Sequence, residues 1–190
     1  SHRTFDSIFW HNHHSKLRGQ SSNHMSNLLV QNIKHTNGTT AMTVDSSGRV
    51  ATPARPAFSA RRTSNQNFSA SGYHKAEFPT AEFNIGNHYN TSNSKFTCPV
   101  AGVYLFAVHV YIYSSNNPEV NFYINSINKA RMTNQLSSSN VNPNSANGTK
   151  LFNLSANDEV EVYIYTNQAS DMYWGDTNTP ASFFCGHLVG

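Results

Sequence analysis

The stretch that most constrains this chain is Phe96-Thr-Cys-Pro-Val-Ala-Gly-Val-Tyr-Leu-Phe106, which continues as Ala-Val-His-Val-Tyr-Ile-Tyr to Tyr113. From Tyr104 to Tyr113 every position except His109 is apolar or aromatic. The run is rich in β-branched and aromatic residues and poor in helix formers, so it predicts a central strand. Pro99 and Gly102 predict a bend before it, since proline cannot donate to a ladder and glycine tolerates turn geometry. Tyr104, Phe106, Val108, Val110 and Ile112 fall on one face and Leu105, Ala107, His109, Tyr111 and Tyr113 on the other. Both faces therefore need cover, and the strand belongs in the middle of a sandwich.

Further strands are expected near Ala57–Arg62, Phe78–Phe83, Lys95–Cys98, Glu119–Ile127, Ser145–Leu154, Glu159–Thr166 and Ser182–Val189. Met132 to Asn147 reads as a solvated loop, and Asn167 to Pro180 as a second loop carrying Met172, Tyr173 and Trp174. Upstream, Leu28, Val30 and Ile33 predict a short strand, Asn37-Gly38 a turn, Ala41, Met42 and Val44 a second strand, and Asp45-Ser-Ser-Gly48 another turn. Such ribbons cannot bury themselves alone. Pro53 to Arg61 is a stiff connector.

Phe78, Asn84, Tyr89, Phe96, Gly102, Tyr104 and Phe106 lie six, five, seven, six, two and two positions apart. This spacing resembles the signature of the complement C1q globular-head family, relatives of the tumour-necrosis-factor jelly roll. Leu154 with Asn157-Asp-Glu-Val160 is similar to that family's late turn, and Phe184-Cys-Gly186-His-Leu-Val189 to its closing strand. Val108, Asn157 and His187 depart from the pattern, at positions where it has an aromatic, a glycine and an aromatic. The resemblance implies an all-β jelly-roll sandwich over 57–190, a homotrimer, and a binding rather than catalytic role. Residues 26–56, with Thr43-Val-Asp-Ser-Ser-Gly-Arg-Val50 before Pro53-Ala-Arg-Pro-Ala-Phe58, resemble the N-terminal segment of virion proteins of tailed, particularly marine, bacteriophages. That implies an arm over 1–56 that attaches to another virion protein, with an outward head for host surface glycans. The alternative is a secreted trimeric recognition module, and a collagen-like Gly-x-y stalk that would favour it is absent from the sequence.

Charge divides along the chain. Residues 1–62 hold eight Lys/Arg against two Asp, a balance of +6, while residues 63–190 hold five against eight Asp/Glu, a balance of −3. The arm is basic but has no dense cluster of the kind phosphate binding uses, which argues against nucleic acid. No run reaches the length of a membrane span, and the first thirty residues lack a signal-peptide core. Since Ser1 is compatible with an excised Met, the expectation is an unprocessed product made in the cytoplasm. Phe5, Ile8, Phe9 and Trp10 form an apolar knot before a histidine-rich stretch, read as an arm anchor together with Leu28, Val30 and Ile33, or as a remnant ending at His24-Met25.

Catalysis finds no support: the sequence has no Gly-x-Ser-x-Gly elbow, no His-x-x-x-His pair and no phosphate loop. No cofactor is expected. Asp171 and Asp176 could contribute to a calcium site or be solvated turn residues, and Ca²⁺ wants more carboxylates than these two. Tyr173 and Trp174 are the candidates for ligand or receptor binding, since aromatics in a rigid loop stack on sugars or fill a partner's pocket, unless they cover the sheet or the threefold axis instead. Cys98 and Cys185 are either buried thiols or a bridge.

Overall fold

A computed structural model describes residues 28–113, 118–133, 144–173 and 179–190. The chain divides into two compact units, Ser1–Val30 and Gln31–Gly190. In the second unit, three short strands come first: β1 (Asn32–Lys34), β2 (Thr40–Val44) and β3 (Val50–Ala51). They are followed by β4 (Ala57–Arg61), β5 (Gln66–Phe68), β6 (Gly72–Lys75), β7 (Thr80–Ile85), β8 (Tyr89–Asn90) and β9 (Lys95–Thr97). The remainder comprises β10 (Gly102–Tyr113), β11 (Glu119–Ile124), β12 (Ile127–Thr133), β13 (Asn144–Leu154), β14 (Glu159–Thr166), β15 (Ser170–Tyr173) and β16 (Phe183–Leu188).

Strands β1 to β3 form a small antiparallel ribbon. Its second turn is built by Asp45, whose Oδ1 accepts from the backbone of Ser47 and Arg49 at 2.9 Å each while Oδ2 takes Arg49 Nε at 2.7 Å. Leu28 and Val30 precede the first strand rather than lying in it, and both are exposed, as is Ile33.

The head is a two-sheet sandwich. The front sheet runs β5-β15-β10-β16-β4-β7, and β13 pairs with the other edge of β10 from Gly102↔Leu154 to Ile112↔Asn144. The back sheet runs β12-β11-β14-β9-β8, with β6 also paired to β14. Every pairing is antiparallel and many join strands distant in sequence, which is the Greek-key wiring of a jelly roll.

Alternation along β10 buries Tyr104, Phe106, Val108, Val110 and Ile112, and the back sheet answers with Val120, Phe122, Val160, Val162 and Ile164. Aromatic rings fill the space between. Phe58 stacks on Tyr89 with centroids 4.5 Å apart and meets Phe184 edge-on at 4.9 Å, an arrangement that satisfies the ring quadrupoles. Gly186 is required here, because a Cβ on it would lie 2.4 Å from Phe106 Cδ1 and 3.0 Å from Phe58 Cε1.

Several elements differ from the expectation. The strand expected over Glu119–Ile127 is a hairpin, turned at Asn125 and Ser126 with φ of 51° and 65°, the left-handed pair that suits a tight β-turn. The loop expected between Met132 and Asn147 is shorter, because β12 continues to Thr133 and β13 begins at Asn144. Ser170–Tyr173 is strand β15 rather than loop: it pairs with β10 and β5 and buries Met172 completely. Arg62, counted above with the basic arm, is buried. Its guanidinium donates to the carbonyls of Ser64 at 2.7 Å and Glu77 at 2.8 Å, holding the short strands β5 and β6 in place.

Candidate functional site

The outward face of the front sheet is the surface most unlike ordinary protein exterior. Since side chains alternate along a strand, the residues of β10 that do not enter the core, Leu105, Ala107, His109 and Tyr111, all point to this face. They are only half-buried. Directly opposite Leu105 stand Leu151 on β13 and His187 on β16, and opposite His109 stands Phe183. Two strands further, Phe83 and Ile85 on β7 lie beside Ser59 and Ala57. Leu151, Phe83 and Ile85 are 54%, 50% and 39% exposed, so apolar side chains reach both edges of the face, while Asn147 and Thr149 on β13 add uncharged polar positions opposite His109 and Ala107.

Several of its polar groups are paired within the chain. His109 Nδ1 donates to the Ala181 carbonyl at 2.7 Å and its ring stacks on Phe183 at 5.8 Å. Glu82 accepts from Ser59 Oγ at 2.7 Å and pairs with Arg61 at 3.5 Å. Cys185, opposite Ala107 and Ser59, lies on the same face, and burial raises its thiol pKa. A wide apolar sheet face whose few charges neutralise one another has the chemistry of a protein–protein interface core.

The turns and packing that hold this sheet involve the residues whose spacing was singled out above. Asn84 clamps the chain at Tyr89, donating from Nδ2 to its carbonyl at 2.7 Å and accepting from its amide at 3.1 Å. Tyr89 in turn donates its hydroxyl to the Phe78 carbonyl at 2.9 Å, and Tyr104 to that of Val100 at 2.8 Å. Phe78, Phe96, Tyr104, Phe106 and Phe184 are completely buried. Gly102 admits the Leu188 side chain, which a Cβ would meet at 2.8 Å. Asn157 takes the turn position with φ of 71°, which asparagine tolerates better than most residues.

Residues 57–189 match the C1q domain. The chain belongs to the C1q-domain family. Complement C1q and tumor necrosis factor-related protein 9 from Mus musculus is 48% identical over 40 residues, which are 21% of this chain and 12% of that protein. The corresponding protein 9A from Homo sapiens is 45% identical over a stretch of the same length and coverage. The aligned stretch thus spans about an eighth of the length of these curated relatives. Among solved structures, the globular domain of zebrafish complement 1qA superposes with a TM-score of 0.52 at 20% identity, covering 72% of this chain and 98% of that one. Murine APRIL gives 0.53 at 12% identity, covering 71% and 99%, and Eiger TNF from S. frugiperda 0.51 at 14%, covering 72% and 92%. These likenesses show the C1q/TNF jelly-roll fold.

The other sequence candidates are scattered. Tyr173 ends β15, its backbone paired with Tyr111, while Trp174 and Asp176 lie outside the described residues, as do Phe5, Phe9 and Trp10. The backbone of Asp171 pairs with Tyr113 and Asn67, and the described residues contain no group of three or more His, Cys, Asp or Glu that could hold a metal ion. Both cysteines are free thiols; Cys98 is buried, and desolvation pushes its pKa up to about 12. The sequence reading assigned Leu105, Ala107, His109 and Tyr111 to the second face of β10 but missed Leu151, Phe83 and Ile85. Their local signal is weak: Leu151 stands next to the core residue Phe152, β7 sends no residue into the buried core, and strand pairing is what places all three on this face.

Proposed function

We propose that this protein is a non-enzymatic extracellular recognition module that works as a homotrimer, with the outward face of the front sheet packed around the threefold axis. The observation that carries this reading is the apolar, charge-neutral face of β10 and its neighbours, which a second and third copy would remove from water. Family membership supports the binding role, and jelly-roll wedges of this kind close readily into cyclic assemblies. The virion reading has no such support: the family match leaves residues 26–56 outside it, and two of the curated relatives are a mouse and a human protein.

In this reading residues 57–190 form the binding head and residues 1–56 an attachment arm, with Leu28, Val30 and Ile33 exposed for a further partner. Native mass spectrometry of the full chain beside a chain starting at Pro56 tests the assembly. Three copies are expected from both. A monomer for both would overturn the role given to the front face, and a monomer for the shorter chain alone would transfer trimerisation to the arm. Tyr173 and Trp174 are the candidates for ligand contact. Trp174→Ala is expected to keep the native mass and lose signal on a surface-glycan array, and an unchanged array would remove them.

A further inference from the structure

Away from the front face, the side of the sandwich between β12 and β13 holds a cleft of about 460 Å³. At one end of this side Met132 closes the gap, lying where a Cβ on Gly148 would sit. Toward the other end the gap opens, lined by Ile124, Ile127, Lys129, Lys150, Phe152 and Leu154. Ile124, Phe152 and Leu154 are buried and form an apolar floor.

The two lysines arrive by separate devices. Phe122 pairs with Ala130 and Tyr123 with Asn128, so Lys129 is the extra residue of a β-bulge, a feature that re-aims a side chain out of the strand's alternation. Lys150 pairs with Phe106 and so leaves β13 on the core side, its ammonium 5.7 Å from the Phe152 ring centroid. Both lysines are exposed, and neither has an acidic partner or a hydrogen bond among the described residues. The one carboxylate in the cleft is engaged elsewhere: Asp158 accepts from Asn125 Nδ2 and from the Ser155 amide, at 2.8 Å each. Two lysines against one carboxylate, above an apolar floor and in a cavity within the size range of small-molecule sites, define one class of ligand.

We infer that this cleft binds a small amphipathic anion, with its carboxylate or sulfate head between Lys129 and Lys150 and its apolar body on Ile124, Phe152 and Leu154. Every residue of its lining comes from a single chain. Calorimetric titration of the full chain with hexanoate and hexyl sulfate, beside hexanol and inorganic sulfate as the separate halves, tests it. At least one of the two anions is expected to bind about tenfold tighter than either half, since charge-assisted contacts and apolar burial act together. Which of the two binds tighter identifies the head. The double variant Lys129→Gln/Lys150→Gln is expected to lose about tenfold for that anion and nothing for hexanol, with its melting temperature held. Binding of the anion that survives the double substitution, or that is matched by hexanol or by sulfate alone, would overturn the inference.

Discussion

The two outward faces of the sandwich follow the same alternation and carry opposite chemistry. On the back sheet the outward positions of β11 and β14 are Glu119, Asn121 and Tyr123, and Glu159, Glu161, Tyr163 and Tyr165. Cations on neighbouring strands match them: Lys75 meets Glu161 at 2.7 Å, Lys95 meets Glu159 at 2.8 Å, and Arg131 meets Glu119 at 3.8 Å. The tyrosines pair as well, Tyr123 with Tyr163 at 4.2 Å and Tyr73 with Tyr165 at 4.9 Å. On the front sheet the corresponding positions hold Leu105, Ala107, Leu151, Phe183 and Phe83 beside the uncharged polar Ser59, Asn147 and Thr149, and among the described residues one ion pair, Arg61 with Glu82, lies there. The back face pairs its charges across strands, although Glu119 Oε2 and Asn121 Nδ2 stay buried without a hydrogen-bond partner, whereas a face that meets protein carries few charges. The difference lies in what each face is built to touch.

Placing a charge on each face is the sharpest way to break this distinction. Leu105→Asp is expected to reduce the native mass threefold while far-ultraviolet circular dichroism is retained, and Tyr165→Asp to leave the mass unchanged; equal behaviour would abolish the distinction. Core substitutions act on both faces alike and calibrate it. Phe106→Ala should cost about 3–5 kcal/mol and Gly186→Ala about 1–3 kcal/mol in chemical denaturation, the first by a cavity and the second by overpacking. A wild-type midpoint for Gly186→Ala would show that the Phe58 and Phe106 rings yield more easily than their contacts suggest.

Smaller effects belong to single faces. Glu161, 3% exposed, loses its ion pair with Lys75 in Glu161→Gln, for about 2 kcal/mol of unfolding free energy and no change in native mass. The cysteines report on the front face and the core separately. Cys185 should react with iodoacetamide in monomeric Leu105→Asp and be protected in the assembly, while Cys98 stays unreactive in both. A folded-state pKa of about 12 against an ordinary 9.0 means that folding keeps the Cys98 proton. Its contribution to stability is therefore complete below pH 9.0 and is lost as pH rises toward 12. Thermal melts across that range should show a steeper decline in wild type than in Cys98→Ala.

Much of the fold was legible because its largest burials occur in continuous apolar runs. The alternation of Tyr104 through Tyr113 marked β10 as a central strand with one face in the core, although its second face, expected to be covered, points outward and is half-buried, and the aromatic spacing from Phe78 to Phe106 pointed to the jelly roll. What escaped was structure held by polar groups or by one anchor. Strands β5 and β6, Gln-Asn-Phe and Gly-Tyr-His-Lys, have little apolar pattern. They are organised by Arg62 and by Gln66, whose Nε2 donates to the Lys75 carbonyl at 3.0 Å. Strand β15 carries Met172 into the core, and its partner Gln66 lies on β5, far away in sequence. The front face was half legible. The second side of β10 was read from alternation, but Phe83 and Leu151 join it only through pairings that no local pattern reveals.

The position of β16 has a consequence in time. It lies between β10 and β4, and its extension continues the ladder as Val189 donates to the Val103 carbonyl at 2.7 Å. During synthesis β4 and β10 emerge early, yet the strand that must separate them is 183–188. Until it leaves the ribosome, the edges of β4 and β10 that it joins stand open. Contacts of such sequence separation close slowly, and edges of this kind invite pairing with the wrong strand. A nascent chain of this fold therefore spends most of its translation without a finished front sheet, and it becomes able to assemble only after its closing strand has slotted in.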